Sequence, residues 1–309
     1  MNGIINVLKP PGMTSHDVIN YIRRLTSIKK VGHTGTLDPG AAGVLPVCVG
    51  KATRVAEYLI SYDKCYRAEC TFGVSTDTQD DFGQVLDVCD ASYLTRNSIS
   101  DILMDFTGRL EQVVPMFSAV KVKGKKLYEH ARAGQQIERE ARSINVYSLN
   151  PLYYEDLGTP RPKVLFEIIC SKGTYIRTIC HDMGQKLGCG AHMSFLIRTK
   201  VGDFTLNEAI TLEELKEYAD TKLFNQALIP VDLVLKSMVP IQVRESAVDS
   251  VIAGNKLYPP GVIELPAHLI ENQIVRLRAV DKLLALAKVI VEQEDGTAKY
   301  IFQPFKVLV

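Results

Sequence analysis

Gly32-His33-Thr34-Gly35-Thr36-Leu37-Asp38-Pro39 is the stretch on which the reading of this chain turns. Its two glycines, and a proline directly after the aspartate, disfavour a helix and predict a tight, bent loop. The loop presents one carboxylate, Asp38, and one imidazole, His33, with almost nothing apolar to bury. Long apolar elements follow it, so it is held in place, and a carboxylate on a rigid loop is a candidate nucleophile or acid–base group. Asp-Pro-Gly is also ordinary turn chemistry, with the aspartate bonding its own backbone and proline presetting φ. On composition alone the turn is the better account, and the decision passes to the rest of the chain.

Outward from this loop, residues 14–27 read as a helix. Val18, Ile22 and Leu25 fall on one face, and Thr14 with Asp17 forms a capping-box-like start. Residues 43–50 form a short apolar run between glycines, a buried strand in which Pro46 implies an edge or a bulge. Residues 51–60 read as helix, 64–72 as strand, 98–106 as helix, 125–133 as a short polar helix and 164–170 as a central strand. Residues 174–187 give the clearest helix, with Ile176, Ile179, Cys180, Met183 and Leu187 on one face and Gly188 as its stop. Residues 211–219 form an acidic amphipathic helix. This irregular interleaving predicts an α+β fold with a mixed sheet rather than a doubly wound parallel one. A boundary falls near 238–240. Beyond it, short β-type runs at 262–265, 274–277, 285–292 and 300–309 are separated by turns at 258–261 and at Glu294-Asp295-Gly296, which suggests a small β-barrel or β-rich appendage.

The 309 residues allow one large and one small domain. At 46% hydrophobic and 23% charged, the chain can bury a sizeable core and is not disordered. No signal peptide and no run of membrane-spanning length is visible, and seven scattered cysteines fit reduced thiols in a cytoplasmic protein. Net charge is only +1, but it is segregated. Between residues 115 and 145, Lys121, Lys123, Lys125, Lys126, Arg132, Arg139 and Arg142 outnumber three glutamates, whereas residues 77–90 hold five aspartates and no base. Such segregation suits a side that faces a polyanion, or equally two solvated loops of opposite sign.

Arg177 lies in the first turn of the 174–187 helix, where a cation opposes the helix dipole. It is therefore either solvent-facing or paired with an anion, with Asp38 or a phosphate as candidates. Tyr66 on its strand can stack on a base and exchange a proton, although such tyrosines more often pack in cores. Cys180, His181, Cys189 and His192 lack zinc-ligand spacing, so no metal is expected. No dinucleotide or phosphate-loop motif appears. A glycoside hydrolase would need a second carboxylate beside Asp38, and nothing local supplies one.

Taken in order, several motifs resemble the TruB family, the bacterial synthases that make pseudouridine at position 55 of tRNA. They are Lys9-Pro10-Pro11-Gly12-Met13-Thr14-Ser15, the 32–39 loop, Lys64-Cys65-Tyr66, Val114-Pro115-Met116-Phe117-Ser118-Ala119-Val120-Lys121, Ser171-Lys172-Gly173-Thr174-Tyr175-Ile176-Arg177 and Gly188-Cys189-Gly190-Ala191-His192. The resemblance covers residues 1–235. It implies the pseudouridine synthase fold, a mixed, largely antiparallel sheet flanked by helices, over residues 1–237. Residues 115–142 would be a basic RNA-clamping insertion, and 238–309 a looser match to a β-barrel-like PUA domain. It further implies that Asp38 is the catalytic aspartate, Tyr66 the base-stacking tyrosine and a proposed proton acceptor, and Arg177 the partner of the aspartate. His33 would hold the RNA in its flipped arrangement and Leu196 would wall the uracil pocket. Lys9, Tyr175, Lys121, Lys125, Lys126 and Arg132 would fall among the RNA-binding residues. The implied activity is conversion of uridine 55 to pseudouridine in the T-loop of tRNA by base flipping. It would be carried out by a cytoplasmic monomer without metal, organic cofactor, membrane or obligatory protein partner. Two alternatives stand: a non-catalytic tRNA-binding or RNA-folding protein, and a pseudouridine synthase with another RNA target.

Overall fold

The computed structural model describes residues 1–122, 124–294 and 297–309. Lys123 and the Asp295-Gly296 part of the last turn lie outside the described residues. A nine-stranded sheet forms the main body. Its central path runs Gly3–Lys9, Ala42–Val49, Ala191–Val201, Lys64–Phe72, Lys163–Cys170, Ala141–Glu155 and Gly108–Val113. Every pairing on this path is antiparallel except that of Ala42–Val49 with Ala191–Val201. The expected mixed, largely antiparallel sheet is thus present.

Helices cover the sheet where their apolar stripes require it. Ser15–Thr26 is capped by Thr14 and Asp17 in a full capping box and buries Val18, Ile19 and Ile22. Ile176–Leu187 buries Ile176, Ile179, Cys180 and Met183, and ends at Gly188 in the left-handed conformation that glycine adopts without strain. It packs over the strands carrying Phe72, Phe166, Ile168 and Leu196 in one apolar cluster. Residues 51–60, expected as one helix, form a 3-10 turn, Gly50–Val55, followed by Ala56–Ile60.

Pro46 is not on an edge. Ala42–Val49 lies inside the sheet, but on one side it has two partial partners. Residues 42–43 pair with Ile197–Arg198, and residues 47–49 pair with Val31–His33. Pro46 falls in the gap between them, where a missing N–H costs nothing, and its carbonyl accepts from the Thr34 amide at 3.1 Å. The proline thereby marks where the Asp38 loop leaves the sheet.

The C-terminal region forms a four-stranded sheet of Pro240–Gln242, Ile274–Ala279, Lys282–Glu294 and Thr297–Val307. The described strands leave it open rather than closed into a barrel. Residues 262–265, expected as a strand, contribute only the isolated Val262–Val243 bridge. Leu283 and Leu286 from this sheet, with Leu308 just after its last strand, share a core with Ile4, Val44 and Leu59 of the main body. Buried Arg276 fastens the junction by pairing with Asp232 at 2.6 Å and bonding the carbonyls of Met238 and Lys236.

Candidate active site

The Asp38 loop is tied down at nearly every residue. Leu37 N–H donates to Ser15 Oγ at 2.9 Å, and Ser15 Oγ–H returns a bond to the Leu37 carbonyl. Gly12 N–H donates to the Pro39 carbonyl, and Ala41 N–H to that of Asp38. Arg198, 1% exposed, donates Nε to the Val44 carbonyl at 2.7 Å and its two Nη groups to Gly35 and Thr36 at 3.2 and 3.5 Å. Gly43 makes this possible. Its φ is +116°, and a Cβ there would lie 2.2 Å from the Arg198 carbonyl oxygen, so only glycine lets the two backbones meet.

Lys9 was expected among the RNA-binding residues. The structure places it elsewhere: fully buried, it donates to the carbonyls of Pro10, Met13 and Pro39 at 2.8, 2.6 and 3.2 Å. It stitches the 10–13 turn to the Asp38 loop and has no surface to offer RNA. Burial lowers its ammonium to about 8, with Asp38 pulling the other way.

Arg177 reaches the loop from the opposite side. Its Nε lies 2.9 Å from Asp38 Oδ2, an ion pair whose N–H is not aligned for a hydrogen bond. The guanidinium is oriented instead by backbone carbonyls: Nη1 donates to Thr78 at 3.0 Å and Nη2 to Phe117 at 2.9 Å. Asp80, brought in from the acidic run, stands 3.8 Å from Nη1. Arg177 is 4% exposed, whereas 35% of the Asp38 side chain remains accessible although protein atoms crowd around it. Asp38 therefore remains reachable from solvent while its partner guanidinium is buried. Burial raises its carboxyl above the ordinary range, Asp80 adds to the rise, and Arg177, Lys9 and Arg198 partly oppose it.

Tyr66 and Leu196 supply an apolar wall. They are 8% and 7% exposed on adjacent strands, in register through Tyr66–Arg198 and Ala68–Leu196, and they share a cluster with Leu37 and Ile176. Burial pushes the Tyr66 phenol up to about 12, against the pull of neighbouring Arg198. His33 is half-buried, its Nδ1 accepts from the Gly35 amide at 3.3 Å, and burial followed by Arg198 lowers its pKa. Gln112, 3% exposed, brackets Tyr175 by donating to its carbonyl at 3.0 Å and accepting its amide at 2.8 Å. This sets the backbone from which Arg177 projects, and the guanidinium lies 6.0 Å from the Tyr175 ring.

The basic segment forms a small hairpin, Lys121–Val122 with Lys125–Lys126, followed by the helix Leu127–Arg132. Lys121, Lys125 and Arg132 are exposed, and Lys126 and Arg132 flank the Tyr128 ring at 5.4 Å. Through the Phe117 carbonyl this segment touches Arg177, while Lys121 and Lys125 project outward.

The structure thus brings Asp38, Tyr66, Arg177, Tyr175 and Leu196 around one site, sets His33 at the start of the same loop near Arg198, and leaves the four outer cations on a separate surface element. Sequence reasoning missed Asp80, Gln112 and Arg198. For Arg198 there was a signal: it lies two residues after inward-facing Leu196, so strand periodicity turns it into the core. Asp80 and Gln112 carried none, since Asp80 sat in a run that reads as a solvated loop.

With the geometry in place, comparison with known proteins is direct. The family model described as TruB family pseudouridylate synthase (N terminal domain) matches residues 23–176. The tRNA pseudouridylate synthase B C-terminal domain matches 177–236, and the PUA domain 240–295. A protein of Pelotomaculum thermopropionicum named tRNA pseudouridine synthase B is 51% identical over 100% of this chain and 97% of its own length. One of the same name from Symbiobacterium thermophilum is 57% identical over 70% and 71%. Among solved structures, a Cbf5-Nop10-Gar1 complex contains a chain that superposes with a TM-score of 0.74 at 32% identity, covering 99% of this chain and 85% of that one. On motifs, fold and these matches together, the chain belongs to the TruB family of pseudouridylate synthases and carries a PUA domain at its C-terminal end.

Proposed function

We propose that this chain converts uridine to pseudouridine at position 55 in the T-loop of tRNA, with Asp38 as the catalytic group. The observation that carries this reading is Asp38 itself: a carboxylate immobilised on a rigid loop, reachable from solvent, paired at 2.9 Å with a buried guanidinium and facing an apolar wall. The isomerisation breaks the N–C glycosidic bond and makes a C–C bond to the same ribose, so it rearranges one nucleotide and needs no group donor. Ionised Asp38 has three routes: attack on the ribose anomeric carbon, attack on C6 of uracil, or removal of a ribose proton. In each, Arg177 holds the carboxylate in place and favours its charged form. Lys9 and Arg198 add positive potential from beneath the loop.

The reacting uridine must leave its stack, at a cost of a few kcal/mol. A base stacked on Tyr66 against Leu196 would regain roughly 1–3 kcal/mol of that. A Tyr66 pushed up to about 12 is a phenol at neutral pH, so a face for the base is the role its environment supports. His33, neutral for the same reason of burial, can wedge between splayed bases without adding charge. Lys121, Lys125, Lys126 and Arg132 are placed to contact phosphate, which should make binding salt-dependent. We further read residues 1–237 as the catalytic unit, 115–142 as the RNA-clamping insertion and 238–309 as an additional RNA-binding unit. The whole works as a cytoplasmic monomer that needs no protein partner.

Tritium release from 5-tritiated uridine in a T-arm hairpin tests the assignment with the purified chain. The wild type is expected to release tritium, and Asp38→Ala to release none. Equal release by both would remove Asp38 from the chemistry. No release from the hairpin or from tRNA by the purified chain, with release from another RNA once proteins are added, would favour another RNA target.

A further inference from the structure

Phe82 is 77% exposed, although a phenylalanine gains most from burial. One edge of the ring nonetheless rests against the loop that carries Asp38. Its edge lies where a side chain at Gly40 would begin, because a Cβ on Gly40 would stand 2.1 Å from Cε2 and 2.6 Å from Cζ. Glycine at position 40, two residues beyond Asp38, is what admits the ring.

The loop behind Phe82 is constrained. Asp80 Oδ1 accepts from the Phe82 amide at 3.1 Å and from Thr78 Oγ at 2.6 Å. Asp81 meets the imidazole of buried His192 at 2.7 Å, and the other ring nitrogen of His192 lies 3.0 Å from the Val74 carbonyl. The Gln79 carbonyl accepts from the Met193 amide at 3.0 Å. Three successive residues therefore have three destinations: Asp80 towards Arg177, Asp81 to the sheet through His192, and Phe82 onto the catalytic loop with most of its ring in solvent.

We propose that the Phe82 ring is a stacking platform for a nucleobase flanking the reacting uridine. The proposal rests on the reading of Asp38 as the centre of a pseudouridine synthase. An exposed aromatic ring beside the Asp38 loop fits a splayed base, since every base has a π-face and needs no sequence-specific contact to use it. Val85, Leu86 and Val88 on the adjoining strand are also exposed, but they are aliphatic and lie further along the chain than Phe82.

The test measures binding of T-arm hairpins in an Asp38→Asn background, so that no turnover occurs. One hairpin is intact, and two carry an abasic residue on either side of the target uridine. Phe82→Ala is expected to weaken binding of the intact hairpin by roughly 5- to 100-fold. One of the abasic hairpins should lose a similar factor with Phe82 present and nothing further with Phe82→Ala, and Phe82→Trp should restore binding. Unchanged thermal stability of Phe82→Ala, expected for an exposed ring, shows that the fold is intact. If both abasic positions cost the same in both proteins, or if Phe82→Ala binds as tightly as Phe82, the platform is overturned. Tritium release by the otherwise wild-type chain reports separately on the pseudouridine synthase reading. Release without the abasic non-additivity removes only the platform, and non-additivity without release removes only the catalytic reading.

Discussion

Replacing Arg177 with methionine tests the central ion pair. The change removes a guanidinium that is 4% exposed, its 2.9 Å contact with Asp38 and its bonds to the Thr78 and Phe117 carbonyls. Deleting one partner of a fully buried pair costs about 3–5 kcal/mol. Here Asp38 is 35% accessible and can protonate or take up water, which reduces that figure. The two carbonyls add about 1–3 kcal/mol each only where water cannot replace the donor. A net stability loss of about 3 kcal/mol follows. Turnover should suffer more, because a catalytic carboxylate misplaced by about 1 Å loses about 10²-fold. Single-turnover tritium release should therefore fall by about 10²–10³-fold, while hairpin binding stays within about threefold.

The pH dependence gives the sign. Burial already raises the Asp38 carboxyl above its ordinary value, and Arg177 is the largest opposing influence. Activity needs the carboxylate, so it is present above the Asp38 pKa and lost as pH falls through it. Without Arg177 that acidic limb must move to higher pH. A variant with an unmoved acidic limb, or one with normal turnover and a tenfold loss of RNA affinity, would refute the pairing argument and make Arg177 a phosphate-binding residue.

Gly43→Ala should cost about 2–6 kcal/mol, the sum of a strained positive φ and an overpacked contact with the Arg198 backbone, and should abolish turnover while RNA binding persists. Melting temperature and single-turnover rate check it, and wild-type values for both would show that the strand contact is dispensable. Lys9→Met should destabilise the chain by an amount that grows with pH. The Lys9 ammonium is lowered from 10.5 to about 8, so between those values the unfolded chain binds a proton that the folded chain does not, and the wild type gains stability as pH rises through that window. Melting temperatures of both proteins from neutral to alkaline pH report this, and a constant difference would contradict the buried-ammonium picture. Lys64, also lowered to about 8 by burial, and Cys48 and Cys170, raised to about 12, titrate in both proteins and cancel from the comparison.

Much of the fold was legible in the chain because its signals are local. The Thr14–Asp17 capping box, the 3.6-residue spacing of Ile176, Ile179, Cys180 and Met183, and the stop at Gly188 each depend on residues within a turn or two of one another. The irregular alternation of elements excluded a doubly wound sheet. Pro46 misled because a proline in a strand is informative only once the neighbouring strands are known. Residues 262–265 misled because β-type composition does not ensure a pairing partner.

Sequence by itself offered Asp38 on a loop that disfavours a helix and Arg177 at a helix start, either solvent-facing or paired with an anion, and the family resemblance carried in its motifs gave the two their expected roles. Tertiary structure brings these two, 139 positions apart, to 2.9 Å, the pairing the resemblance implied, and it alone decided that Asp80 joins them and that Lys9 and Arg198 turn inward to hold the loop rather than outward to phosphate. The physical reason is that a cation's destination is set by what desolvates and accepts from it. Backbone carbonyls accept equally well whatever residue bears them, so the bonds that position this site leave no pattern in the order of side chains.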